Sequence, residues 1–141
     1  MRRFATVLTI LLGIFPLTFG SEFLFAGASA ATNFGIDPWP TGVAAGYFAV
    51  KGIRDIVIGL NLLALFALGQ RRATGILMAI TAVIPIVDMI TVLTHNGPVA
   101  TALGVHGLTA VVMLFDAFLL FRTSKSLRNA TVEKDVQPAH A

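Results

Sequence analysis

Apolar residues fill four long stretches of this chain, and short polar or turn-forming segments separate them. The stretches run over about 4–25, 43–68, 73–94 and 99–121. Each reaches the roughly 20 residues that a helix needs to cross the hydrocarbon of a bilayer. Residues 26–42 between the first two are rich in Gly, Ala, Thr and Pro, whereas the other connections, 69–72 and 95–98, are short. Asn96-Gly97-Pro98 marks a turn, and Pro98 suits the start of the helix that follows. The pattern predicts an all-α polytopic membrane protein, a four-transmembrane-helix bundle over residues 1–122, followed by a polar, flexible tail over 123–141.

Polar positions inside these stretches recur at helical spacing. Lys51, Arg54, Asp55, Ile58 and Asn61 fall within an arc of roughly 120° at 3.6 residues per turn. Thr81, Asp88 and His95 repeat every seventh residue, with Thr91 beside them. His106, Thr109, Met113 and Asp116 share one stripe, and Thr18 and Glu22 are an i,i+4 pair. Each predicted helix therefore carries one polar seam, which lipid cannot solvate and which is expected to face the bundle interior. Gly52, Gly59, Ala100, Gly104 and Gly107 would let helices approach closely. Pro85, three residues before Asp88, frees a backbone carbonyl and is expected to kink the third helix there.

Composition strengthens the membrane reading. The chain is 56% hydrophobic and 12% charged, with mean hydropathy +0.85, whereas soluble domains are nearer 25% charged. Its 141 residues leave room for one domain and no separate soluble catalytic unit. The isoelectric point near 10.0 does not indicate nucleic acid, because the cations cluster at segment ends instead of forming a stripe. Arg2, Arg3, Arg71, Arg72, Arg122, Lys125, Arg128 and Lys134 all fall on one predicted side, and the loops on the other side have no Lys or Arg. Both termini are accordingly expected in the cytoplasm. Arg2-Arg3, an apolar run and Ala28-Ser29-Ala30 also resemble a secretory signal, whose removal would leave three spans in the same orientation. The length of the run and the position of Glu22 favour a retained first span. Without cysteine there is neither disulfide nor thiol chemistry. Three scattered histidines make no metal motif, and no metal or cofactor is expected.

Simple helical rise places the charges at similar depth. Lys51, Arg54 and Asp55 fall roughly 12 to 18 Å below the outer end of the second span, Asp88 about 9 Å and His106 about 10 Å below theirs. Glu22 lies near the outer end of the first. Convergence of these six is the expectation, and charge inside a membrane is a functional-site hypothesis by default. The plainer readings are an orienting Lys51–Asp55 ion pair, Glu22 at the interface and His106 in packing. They extend to Asp116 paired with Arg122 at a helix end, Trp39 as an interfacial anchor and the phenylalanines as packing bulk.

Residues 51–60, Lys-Gly-Ile-Arg-Asp-Ile-Val-Ile-Gly-Leu, followed by Asp88 and His106, resemble a family of small four-helix integral membrane proteins, mostly of unknown function. That pattern has Gly-x-Arg-Asp-x-x-x-Gly in the second span, Asp in the third and His in the fourth. More loosely, in size and topology, the chain resembles small membrane epoxide hydrolases and cyclases of polyketide and terpenoid tailoring.

The leading expectation is an enzyme of the hydrolase or isomerase kind, opening an epoxide, cyclising or isomerising a lipophilic small molecule. Asp55 and Asp88 would be the acid–base pair, Arg54 their organiser and His106 a fourth catalytic member. Glu22, Tyr47, Lys51 and Asn61 would bind substrate or support the site. The bilayer and the substrate are the expected partners, with a homodimer left open. The alternatives are a small proton-coupled transporter or exporter using Glu22, and an accessory subunit whose seams meet a partner helix.

Overall fold

The computed structural model describes residues 1–136, with side chains described through residue 124. Every regular element among them is helical. Helix α1 (Arg2–Phe25) packs on α3 (Gly46–Ala67), and α2 (Gly27–Phe34) lies in the connection between them. Helices α4 (Arg71–Thr81) and α5 (Val83–Thr94) follow one another. The chain then returns along them through α6 (Val99–Thr101), a π-helical segment (Ala102–Gly107) and α7 (Leu108–Val136). Two antiparallel hairpins result, joined where α3 meets α4 and α1 meets α7.

Glycines set the first hairpin. A Cβ built on Gly20 would lie 2.5 Å from the carbonyl oxygen of Gly52, and one on Gly52 would lie 2.6 Å from that of Gly20. One turn-pair further along, a Cβ on Gly59 would lie 2.6 Å from the Gly13 oxygen. Helices α1 and α3 therefore touch backbone to backbone, which only small residues permit. The second hairpin is packed by side chains instead. Leu62, Met78, Ala82, Met113 and Ala117 form a buried cluster drawn from α3, α4 and α7, with Ala82 at the α4–α5 junction.

Local chemistry explains the helix ends. Gly69 (φ 73°) follows α3, and the Gly69 and Gln70 amides donate to the Phe66 and Leu65 carbonyls, a Schellman cap. Asn96 (φ 58°) plays the same part after α5, where the Gly97 amide donates to Val92 O at 2.8 Å. Gly35 (φ 96°) ends α2, and a Cβ there would stand 3.0 Å from Thr101 Cγ2. The third apolar stretch breaks at Ala82, just ahead of Pro85, so its two halves are separate helices. Proline removes the bond to the carbonyl four residues back, which is that of Thr81.

Large apolar side chains such as Val7, Leu11, Val57, Leu60, Val87 and Val111 point outward. Three helical runs are long and apolar enough to cross a membrane, namely Arg2–Phe25, Arg71–Thr94 (α4 with α5) and Val99–Ser124 (α6 through α7), and they suggest a membrane protein. The expected fourth span differs. At 22 residues α3 is long enough, but Lys51, Arg54 and Asp55 all fall inside it. Two further differences concern boundaries. Residues 27–34 are helical where a loop is expected, and α7 continues to Val136 into the segment assigned to a tail. Tail residues 137–141 lie outside the described residues.

Candidate functional site

Between the two hairpins lies a small cavity of about 80 Å³. Helix α3 contributes Lys51 and Asp55, the broken α4–α5 run contributes Thr81 and Asp88, and the π-helical segment contributes His106. The remaining wall is largely apolar, including Phe15, Phe19, Pro85 and Met113. The polar residues meet here because two irregularities, the Pro85 break and the π-helical turn, fall at this level of the bundle. Such π-turns often occur at functional sites.

Lys51 Nζ lies 3.2 Å from Asp55 Oδ2. The contact is ionic without hydrogen-bond geometry, since that oxygen is buried and has no hydrogen-bond partner. The same ammonium stands 5.0, 5.2 and 5.6 Å from the ring centroids of Phe34, Phe23 and Phe19. An aromatic cage and one carboxylate thus stabilise a cation that lipid would reject. Asp88 is half-buried and makes no ion pair, for the Lys51–Asp55 contact is the one such pair among the described residues. His106 is 4% exposed, and its Nε2 sits 3.0 Å from the carbonyl oxygen of Phe34. A carbonyl only accepts, so in this contact the ring donates through Nε2–H.

A second cavity of about 310 Å³ adjoins the first and shares Lys51. Phe23, Phe34, Trp39, Tyr47 and Phe48 line it together with Arg54.

Lys51, Asp55, Asp88 and His106 are therefore brought together as the sequence reading expects. Tyr47 and Arg54 are not with them and line the second cavity. Glu22 and Asn61 are exposed and line neither. One geometric reason covers three of these four residues. Glu22, Arg54 and Asn61 each follow by two residues a glycine of the α1–α3 seam, namely Gly20, Gly52 and Gly59. Two residues turn a helix by about 200°, so these side chains point away from the contact. The glycines were visible in the sequence, and using them to fix azimuth would have excluded all three.

Asp116 departs from expectation in its partner. It is fully buried, and Thr9 Oγ1 donates to its Oδ2 at 2.7 Å. Thr9 Oγ1 also lies 2.7 Å from Ala5 O, so one hydroxyl proton is shared between two acceptors. Arg122, expected as its partner, instead lies over the Phe118 ring at 5.2 Å. Six residues of helix put Asp116 and Arg122 about 120° apart, on different faces. Arg71 lies at this same end of the bundle, where its Nη2 donates to Thr6 Oγ1 at 3.1 Å.

The cage around Lys51 and the Phe34 carbonyl were not foreseen, because the residues supplying them looked like packing bulk and loop. Among the described residues no group of three or more His, Asp or Glu side chains is placed to hold a metal ion. The chain matches no curated protein and no solved structure. Residues 13–120, which contain the whole cluster and Asp116, match the family described as a domain of unknown function (DUF4267), and the chain belongs to that family.

Proposed function

We propose that this protein is an integral membrane enzyme that performs acid–base chemistry on a lipophilic small molecule within the cavity between its hairpins. The observation that carries this reading is the gathering of Lys51, Asp55, Asp88 and His106 around one small, mostly apolar space. In it α3 is the fourth span. Its Lys51 and Asp55 neutralise each other inside the bundle, and a paired charge is far cheaper there than a lone one. Both termini are cytoplasmic, on the side that carries the flanking arginines.

Asp88, the carboxyl of this cavity without an ion pair, is the base. It removes a proton from water or from a hydroxyl of the substrate, and that oxygen attacks an epoxide carbon. As the carbon–oxygen bond breaks, Lys51 delivers a proton to the released oxygen, and transfer from Asp88 back to Lys51 resets the site. Asp55 holds Lys51 in position through their ion pair, and His106 presents its ring to a substrate hydroxyl. Cyclisation and double-bond isomerisation use the same two proton transfers. About 80 Å³ admits a reacting end and not a whole substrate. Outward-exposed Phe15 and Val105 in the wall give an apolar body a lateral way in from lipid.

The test compares lipid extracts, by mass spectrometry, from cells making the wild type or Asp88→Asn and fed terpenoid and polyketide epoxides. A product isomeric with the substrate, or heavier by one water, should appear with the wild type and vanish with Asp88→Asn. The same product from a membrane-inserted Asp88→Asn protein would remove Asp88 from the chemistry, and no product from either would shift the reading to transport or an accessory role. Topology is read separately, since the natural chain lacks cysteine. A membrane-impermeant thiol reagent should label Asn96→Cys from outside the cell and leave Gln70→Cys untouched.

A further inference from the structure

We infer that the larger cavity is a binding site for the anionic group of an amphipathic molecule, a carboxylate, phenolate or phosphate on an apolar body, with Arg54 as its anchor. Two cations line this cavity and no acidic residue does. Lys51 is already paired with Asp55, whereas Arg54 makes no ion pair among the described residues. Arg54 is exposed where it lines this cavity, and in the proposed membrane topology a guanidinium at this level is costly unless an anion or water meets it. Its planar fork matches the two oxygens of a carboxylate or phosphate.

The rest of the lining specifies the body of the ligand. Phe23, Phe34, Trp39, Tyr47 and Phe48 present aromatic surface, which suits a flat or polyunsaturated chain. A volume of about 310 Å³ is at the small end of the range for ligand pockets, about 300–1,000 Å³. Because Lys51 belongs to both cavities, a molecule anchored on Arg54 lies directly beside the acid–base cluster. Its identification as the substrate rests on the proposed function; its binding does not.

Trp39 is the chain's single tryptophan and lines this cavity, so it reports occupancy directly. The protein in nanodiscs of phosphatidylcholine is titrated with cis-parinaric acid, a conjugated polyene carboxylate, and energy transfer from Trp39 is followed. Saturable transfer is expected, weakened at least about tenfold by Arg54→Gln and only partly retained by Arg54→Lys, which keeps the charge without the planar fork. The methyl ester of the probe should bind the wild type correspondingly weakly. Equal binding of acid and ester, or no effect of Arg54→Gln, would overturn the inference. Adding phosphatidylglycerol identifies the natural source. Arg54-dependent displacement of the probe assigns the site to a lipid headgroup, and its absence assigns it to a free amphipathic acid. Asp88→Asn should bind the probe normally, so a failure of catalysis and a failure of this site are separately visible.

Discussion

Asp88 and Asp116 are the same residue type, each inside an apolar helix, yet the bundle treats them in opposite ways. Asp88 is half-buried and opens onto a cavity that also holds an ammonium, a second carboxylate and an imidazole. Asp116 is fully sealed, meets one hydroxyl, and lies beside the side-chain core of Leu62, Met78, Met113 and Ala117. At the cavity end of the bundle, which Asp88 faces, α1 and α3 meet backbone to backbone at Gly20 and Gly52 and space is left over. The half containing Asp116 is filled. A carboxyl with room around it can bind and exchange, whereas one without room can only brace.

The sharpest way to break this contrast is to make the same change at both positions. Asp88→Asn should lower turnover about 100- to 10,000-fold, the range for loss of a general acid or base. Asp116→Asn should leave turnover within about threefold, a shift under 1 kcal/mol. Equal losses, measured by product formation at matched amounts of folded protein, would erase the distinction. Next in size, Met78→Ala should cost about 2–5 kcal/mol of stability because the sealed half cannot collapse around the void. Thermal unfolding in detergent measures it. Gly52→Val tests the open half, where the added side chain meets the Gly20 oxygen and should cost about 1–3 kcal/mol. Its effect should extend to turnover, since the seam aims Lys51 and Asp55. The smallest effect is expected for Thr9→Val, about 0.6 kcal/mol, the usual worth of a hydrogen bond between membrane helices. A loss several times larger would mean that Asp116 depends on Thr9 for more than bracing.

Helical hydropathy made the long elements legible, and Pro85 announced the break that sets Thr81 and Asp88 against the cavity. Rise per residue sufficed to level Lys51, Asp55, Asp88 and His106. Azimuth was harder, because a polar arc of 120° does not say which edge faces inward. The seam glycines decide that, and they turn Arg54 and Asn61 away. Asp116 was misjudged because Arg122 is its neighbour in sequence while Thr9, 107 residues distant, is its neighbour in space. The cage of Phe19, Phe23 and Phe34 had no signal in the sequence, since aromatic residues packing on lipid and on an ammonium look alike there.

The π-helical turn makes chain length itself a variable of the site. Thr101 packs at Gly35 and His106 bonds Phe34, five residues apart on one strand of helix and adjacent on the other. Ordinary winding would separate positions five apart by about 140°, whereas an i→i+5 ladder stacks them. Gly104, inside this turn, has nothing within 4 Å of where a side chain would begin. Deleting it would empty no space and remove no charge. It would still reset the phase of the helix, and the grip on Phe34 and Gly35 would be lost as surely as by mutating His106. A single-codon deletion at a glycine of no apparent consequence would thus read, in a genetic screen, as a lesion of the His106 cluster itself.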